Sequence, residues 1–193
     1  LMEQAQKATK GIPMMRSMIL EFPKDRTAHT LDLQYMLGEN LLVAPIFNDK
    51  GVVDYYVPEG TWTNYLTNEK IEGGRWHHEV HDYMTLPLLA RPNSLIVEGA
   101  KDDQAVYDYS KDITVHVFEL AEGQTVTTTI VDELGMKVGN VCVSKEGSEY
   151  FVQTEGLDNV KILLRNVSID NEKYMHDLGT IFSVTNNERT FRV

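Results

Sequence analysis

Residues 11–25, "GIPMMRSMILEFPKD", form the stretch that decides the fold. Within it, residues 14–20 are largely apolar on both faces that a strand would present. This pattern is typical of a strand that is covered on both faces in a parallel sheet. Gly11 can end a preceding helix, and Pro13 can open the strand. This stretch therefore predicts one buried strand of an α/β sheet.

The flanking segments predict helices on both sides of that strand. Residues 1–10, "LMEQAQKATK", carry lysines near their carboxyl end, where cations are favoured in a helix. Residues 25–38, "DRTAHTLDLQYMLG", offer Asp25 or Thr27 as an N-cap and Gly38 as a stop. Helix, strand and helix form one piece of a βα repeat, yet nothing later in the chain repeats it.

From residue 49 onward the pattern is typical of antiparallel β structure. Short apolar runs are separated by Gly, Asn and Asp, and residues 113–120, "ITVHVFEL", alternate apolar and polar positions. This spacing predicts two consecutive β-sandwiches, with a boundary near residues 100–112.

Composition limits the classes of function. The chain has 193 residues, 42% of them hydrophobic, so folded cores are expected. A net charge of -11 argues against nucleic-acid binding, which needs a basic face. No stretch approaches the ~20 apolar residues of a membrane helix. The single cysteine, Cys142, excludes an intrachain disulfide, fits a reducing compartment, and lies in the alternating run "NVCVS", which predicts a core position.

Two polar groups are candidates for chemistry. Glu21 and Asp25 follow the predicted strand, where α/β enzymes place active-site loops, and paired carboxylates can perform acid/base work. With 29 acidic residues in the chain, such proximity is weak support, and a structural role is favoured for both. His77, Glu79 and His81 share one face if their segment is a strand, which could bind a metal. A solvated polar face is the favoured interpretation.

Aromatic residues cluster in the first predicted sandwich and could bind sugars. They are Tyr55, Tyr56, Trp62, Tyr65 and Trp76. Adjacent Tyr55 and Tyr56 point to opposite faces of a strand, so one of them is expected in the core. Large aromatic residues usually provide packing in small β domains, and a core role is the default.

Several of these segments together resemble the C-terminal third of glycoside hydrolase family 31. The resemblance rests on "GIPMMRSMILEFP", on Q-Y-M-L-G followed by L-V-A-P at residues 34–45, on P-x-G-x-W at 58–62, and on L-P-x-x-x-R-x-N-S-L at 86–95. It covers roughly residues 10–100 and is strongest to bacterial α-xylosidases, with α-glucosidases next.

The resemblance implies a domain order. Residues 1–47 would be the last helix, strand and helix of a (β/α)8 catalytic barrel, residues 48–110 a proximal β-sandwich, and residues 111–193 a distal β-sandwich. The fold class is therefore expected to be mainly β. The missing strands of the barrel are expected upstream of Leu1, which makes the chain a fragment.

The resemblance also implies the chemistry of the parent enzyme, meaning the longer enzyme of which this chain would be part. Family members are retaining α-glycosidases with one Asp as nucleophile and another as acid/base, both on earlier barrel strands. No position here matches those motifs, so no catalytic, cofactor-binding or metal-binding residue is assigned. The parent would hydrolyse α-linked xylose or glucose without a cofactor, and this chain would be scaffold.

The expected partners are the missing barrel of the same enzyme and, for the parent, an α-xylosyl or α-glucosyl oligosaccharide. Nucleic acid and membrane are not expected, a homo-oligomer is a candidate assembly, and a bacterial cytoplasmic location is expected. Two alternatives remain open. A carbohydrate-binding module would show an exposed, coplanar Trp62 and Trp76, and an assembly domain would show a large apolar face.

Overall fold

The computed structural model describes residues 1–169, 174–185 and 188–192. The chain divides into two compact units. The N-terminal unit is Lys7–Pro92, and the C-terminal unit combines Leu1–Gln6 with Asn93–Val193. Along the chain, unit membership changes between residues 6 and 7 and again between residues 92 and 93.

The first 98 residues contain two short α-helices, one 3-10 helix and nine strands. The helices are α1 (Met2–Ala8), α2 (Met18–Glu21) and a 3-10 helix at Thr27–Thr30. The strands are β1 (Met15–Ser17), β2 (Tyr35–Leu37), β3 (Leu41–Val43), β4 (Val52–Val57), β5 (Thr61–Asn64), β6 (Lys70–Glu72), β7 (Arg75–Val80), β8 (Leu88–Ala90) and β9 (Ser94–Glu98).

A six-stranded antiparallel sheet organises the N-terminal unit, in the order β1-β2-β3-β8-β5-β6, and β4 pairs with β7 as a separate ribbon. One face of the sheet is covered by the core of the unit. Its cross-strand row consists of Arg16, Met36, Leu42 and Leu89, all of them buried. The core also contains Trp62 and apolar side chains of β4.

The described residues of the C-terminal unit form eight more strands. They are β10 (Thr114–Phe118), β11 (Thr125–Val131), β12 (Lys137–Glu146), β13 (Glu149–Glu155), β14 (Val160–Arg165), β15 (Met175–His176), β16 (Gly179–Val184) and β17 (Glu188–Arg192). Two sheets result, in the orders β15-β16-β14-β10-β9 and β11-β12-β13-β17. One apolar core takes side chains from both sheets, among them Val115 and Ile162 from the first and Val143 and Val152 from the second. The expectation of a mainly β fold is confirmed.

The helix predicted over residues 25–38 is wrong. After the short 3-10 helix, residues 35–37 form β2 in the middle of the sheet, between β1 and β3. Met36 points into the covered face while Tyr35 and Leu37 are half-buried, which is strand alternation over a run too short to show a period. Tertiary pairing thus overrides the local helix signals.

The strand predicted over residues 14–20 is shorter and differently paired. β1 ends at Ser17, α2 begins at Met18, and β1 is antiparallel to β2 instead of belonging to a parallel sheet. The helix predicted before it corresponds to α1. The six-stranded sheet takes strands from both sides of the expected boundary at residues 47/48.

The predicted core position of Cys142 is also wrong. Cys142 is half-buried on β12 and lies opposite Thr127 and Gln153, so it belongs to a polar face of its sheet. Among the described residues no helix has the length and apolarity needed to cross a membrane.

Candidate functional site

Glu21 is held by two arginines of the N-terminal unit. Its Oε1 lies 2.5 Å from Nη1 of Arg16, and its Oε2 lies 3.0 Å from Nη1 of Arg91. Arg16 is only 6% exposed and also donates from Nε to the carbonyl of Pro13 at 2.9 Å. Both carboxylate oxygens of Glu21 are thus held by guanidinium groups, which gives Glu21 an ion-pair role.

The ion pair extends into a network around Glu39. Lys7 lies 2.5 Å from Oε1 of Glu39, and Arg16 lies 4.0 Å from its Oε2. Arg91 donates to the backbone carbonyl of Glu39 at 3.2 Å. These contacts link α1, β1, the turn before β3 and the residue after β8, so the network fastens the start of the unit to its sheet.

Asp25 has structural partners of its own. Its Oδ1 accepts the backbone N–H of Thr27 at 2.9 Å, which closes the turn entering the 3-10 helix. Burial, together with a hydrogen bond to Asp25, raises the pKa of Tyr56. The favoured structural interpretation of Glu21 and Asp25 therefore agrees with the contacts that the structure gives to each carboxylate.

The histidine face of β7, formed by His77 and Glu79 together with His81 just after the strand, is engaged by protein groups. Glu79 accepts the Tyr55 hydroxyl at 2.6 Å and lies 2.7 Å from Nε2 of His81. The His77 ring stacks on Tyr55 with centroids 5.5 Å apart. Burial, followed by the Glu79 carboxylate, raises the pKa of Tyr55. Within the described ranges no group of three or more His, Cys, Asp or Glu side chains is arranged to hold a metal ion.

Most of the clustered aromatic residues are packing groups. Trp62 is 1% exposed and donates from Nε1 to the carbonyl of Pro58 at 2.9 Å. Tyr55 and Tyr56 are both buried although they lie on opposite faces of β4. Trp76, by contrast, is 58% exposed. Because only one of the two tryptophans is accessible, the paired Trp62–Trp76 platform does not exist.

A buried polar cluster in the C-terminal unit was not found by sequence reasoning. His116 on β10 is 4% exposed, and its Nδ1 lies 3.1 Å from Nη1 of Arg165, which is itself 2% exposed. Its Nε2 lies 3.0 Å from Oε2 of Glu98. Burial lowers the pKa of His116 to about 4, with Arg165 acting in the same direction and Glu98 against it. The one sequence feature that could have indicated the burial of His116 is its pair of apolar neighbours in "TVHVF".

The side chains of these clusters are engaged by other groups of the protein. Glu21 and Asp25 have structural partners, the histidine face is tied to a core tyrosine, and His116 is inaccessible to solvent. The geometry supports packing and ion-pair roles in each case.

Comparison with known proteins places the chain among the C-terminal domains of a glycosyl hydrolase family. Residues 11–96 match the family described as glycosyl hydrolase family 31 C-terminal domain, and residues 108–193 match alpha-xylosidase YicI, C-terminal domain. The chain belongs to glycoside hydrolase family 31, and its similarity is to the C-terminal domains of that family.

Relatives and solved structures agree with this placement. The chain is 39% identical over 153 residues to alpha-xylosidase XylQ of Lactiplantibacillus pentosus, covering 78% of this chain and 20% of that protein. It is 50% identical over 93 residues to an alpha-xylosidase of Emericella nidulans, covering 44% of this chain and 12% of that protein. Its fold is similar to the cycloalternan-forming enzyme from Listeria monocytogenes, with a TM-score of 0.77, 21% identity, and coverage of 96% of this chain and 21% of that one. The matched part of the chain thus spans between 12% and 21% of the length of these longer proteins.

Proposed function

We propose that this chain is the C-terminal scaffold of a retaining α-glycosidase of the α-xylosidase or α-glucosidase type. In this proposal the parent enzyme cleaves O-glycosyl bonds of α-xylosyl or α-glucosyl oligosaccharides with carboxylates outside this chain. The chain itself supplies no catalytic residue and no cofactor. The similarity to alpha-xylosidases over four-fifths of the chain supports this assignment of the parent.

The observation that carries the proposal is the second face of the six-stranded sheet. Opposite the covered row lies a second cross-strand row, Met15, Leu37 and Leu41, which continues to buried Ala90. Met15 is 62% exposed, and Leu37 and Leu41 are half-buried. A sheet that is apolar on both faces requires a covering layer on each. The rest of the parent would provide the second layer.

The pairing of β1 refines the expected barrel contribution. β2 occupies one edge of β1, so β1 cannot lie between two parallel barrel strands as residues 14–20 were expected to do. We propose instead that residues 1–47 contact the barrel through the open edge of β1 and the exposed side of α2. Ile19 and Leu20 provide apolar surface there. Residues 48–110 and 111–193 remain proposed as the proximal and distal β domains.

A chimera tests the scaffold function. The matching fifth of XylQ is replaced by this chain, and hydrolysis of a chromogenic α-xyloside is measured beside the isolated chain. We expect the chimera to be active and the isolated chain to be inactive. Met15→Glu should lower chimera activity at least about tenfold, since burying an uncompensated carboxylate is costly. It should leave the melting temperature of the isolated chain nearly unchanged.

Leu134→Glu is the matched control, because Leu134 is 79% exposed in a turn of the C-terminal unit. This variant should preserve chimera activity. Hydrolysis by the isolated chain, or equal activity of the Met15→Glu and unsubstituted chimeras, would contradict the proposal.

A further inference from the structure

The outer face of the β4–β7 ribbon combines an accessible aromatic ring with a polar pair. Three cross-strand pairs lie on it: Tyr56 with Trp76, Asp54 with His78, and Val52 with Val80. We propose that the first two pairs form a non-catalytic binding site for one pyranose unit of a neutral oligosaccharide. This site goes beyond the scaffold function, and its test requires no catalytic partner.

Trp76 supplies the stacking surface. Its side chain is 58% exposed although it is the largest apolar side chain on the ribbon face. The buried ring of Tyr56 lies beside it, with centroids 5.9 Å apart and planes inclined by 58°. The indole therefore rests against protein on one side and remains open on another. The CH groups of a pyranose ring can pack on such an open aromatic face.

The support beneath the indole is held by hydrogen bonds, and a preorganised support lowers the entropic cost of binding. Gln34 is buried and bonds the backbone of Tyr56 twice, accepting its N–H at 2.8 Å and donating to its carbonyl at 2.7 Å. Trp76 thus packs against a residue whose backbone N–H and carbonyl are both held by Gln34.

Hydrogen-bonding groups lie one cross-strand pair further along the same face. Nδ1 of His78 is 2.8 Å from Oδ1 of Asp54, and both side chains are about two-thirds exposed. Same-face neighbours on a strand are about 6.6 Å apart, so a sugar stacked on Trp76 can direct hydroxyl groups at this pair. The carboxylate accepts hydroxyl protons, and the imidazole can donate or accept.

Charge selects the class of ligand. Nucleic-acid bases also stack on indole, but the net charge of -11 opposes a phosphate backbone. An oligosaccharide without charged groups combines an apolar ring face with many hydroxyls and meets no such repulsion. The ribbon offers one aromatic platform and one polar pair, so weak binding of a single sugar unit is expected.

Two-dimensional ¹H–¹⁵N NMR of the full chain tests the site, with isomaltotriose as the probe. The chain has two tryptophans, so two indole N–H signals are expected, and Trp76→Phe identifies which is which. Isomaltotriose should shift the Trp76 signal in a saturable manner. The Trp62 signal should stay fixed because that group is buried and bonded to Pro58. Mannitol, which has hydroxyls but no ring face, should shift neither signal.

Affinity changes in variants separate the two parts of the site. Trp76→Ala should weaken binding at least about tenfold, and Asp54→Asn should weaken it roughly threefold to tenfold. Backbone amide shifts of β4 and β7 report binding in the absence of the indole. Tyr83→Ala is the matched control, since Tyr83 is fully exposed in the same unit and should not affect binding.

Three outcomes would overturn the proposal. The first is the absence of a saturable Trp76 shift at high isomaltotriose concentration. The second is unchanged affinity of the Trp76→Ala variant. The third is self-association of the chain that the sugar does not affect and that Trp76→Ala abolishes, which would identify the face as a protein interface. Each of these results leaves the chimera experiment unaffected, so the two proposals can fail separately.

Discussion

Acidification should selectively destabilise the C-terminal unit through His116. In the folded chain its Nδ1 faces an Arg165 N–H, so this nitrogen must carry a lone pair, and Nε2–H donates to Glu98. Protonating Nδ1 would place two donors and two positive charges against each other in a buried site. His176 adds a further repulsive interaction with a charged His116. The neutral imidazole is therefore the form that folding stabilises.

The magnitude follows from linkage between protonation and folding. The pKa of His116 falls from 6.5 to about 4 on folding, so the unfolded chain binds more protons between these values. The stability contribution is complete above pH 6.5 and decreases as the pH falls toward 4. At 1.36 kcal/mol per unit, the full loss is about 3 kcal/mol, of which about 2 kcal/mol should be lost between pH 7.5 and pH 5.

Hydrogen exchange measured by mass spectrometry can resolve this effect within one unit. The exchange rates of peptides from β10 and β14 are corrected for the intrinsic pH dependence of exchange. Their protection factors should then be about thirtyfold lower at pH 5 than at pH 7.5. His116→Gln preserves an acceptor for Arg165 and a donor for Glu98 but cannot titrate. This variant should lose much less protection, whereas the control His78→Gln, at a position two-thirds exposed, should behave like the unsubstituted chain. An equal loss in His116→Gln, or no loss in the unsubstituted chain, would refute the reasoning.

Other substitutions test the ion-pair network, the aromatic core and the histidine face. Glu21→Gln should destabilise the N-terminal unit by about 2 kcal/mol in urea unfolding, because Arg16 and Arg91 lose a charged acceptor, and a stability change below experimental error would contradict this. Trp62→Phe should cost about 1–3 kcal/mol through lost packing and the lost hydrogen bond to Pro58, and unchanged thermal unfolding would count against it. The histidine face of β7 should retain little zinc after dialysis, and stoichiometric zinc by elemental analysis would show a metal site that its present contacts do not indicate.

Regular alternation over several residues made the β structure of the C-terminal unit predictable from sequence. In β10, Val115 and Val117 are buried as the pattern indicates, and Ile113 just before the strand is buried too. Pattern reasoning failed where a polar residue is buried with partners distant in sequence. His116 meets Arg165 only because β10 and β14 pair in parallel, and that pairing has no local signal.

Short strands caused the error in the N-terminal unit. β1, β2 and β3 have three residues each, fewer than a periodic pattern needs in order to separate a strand from one turn of helix. The turn that Asp25 closes resembles the beginning of a helix locally, and the sequence after it has good helix formers. Pairing between two neighbouring strands decided the outcome, and it depends on contacts that local propensity does not contain.

The apolar pattern of residues 14–20 was still informative where its secondary-structure interpretation was wrong. Apolar residues on both sides of a segment indicate covering partners on both sides, whatever the segment's exact conformation. The structure covers Arg16 and Met18 and leaves Met15, Ile19 and Leu20 exposed. The error in predicting the secondary structure does not explain this division into buried and exposed residues, because the same residues are apolar whether the segment is a strand or a helix. The exposed half of the pattern is the surface that the rest of the proposed parent enzyme would cover, and the Met15→Glu chimera tests this.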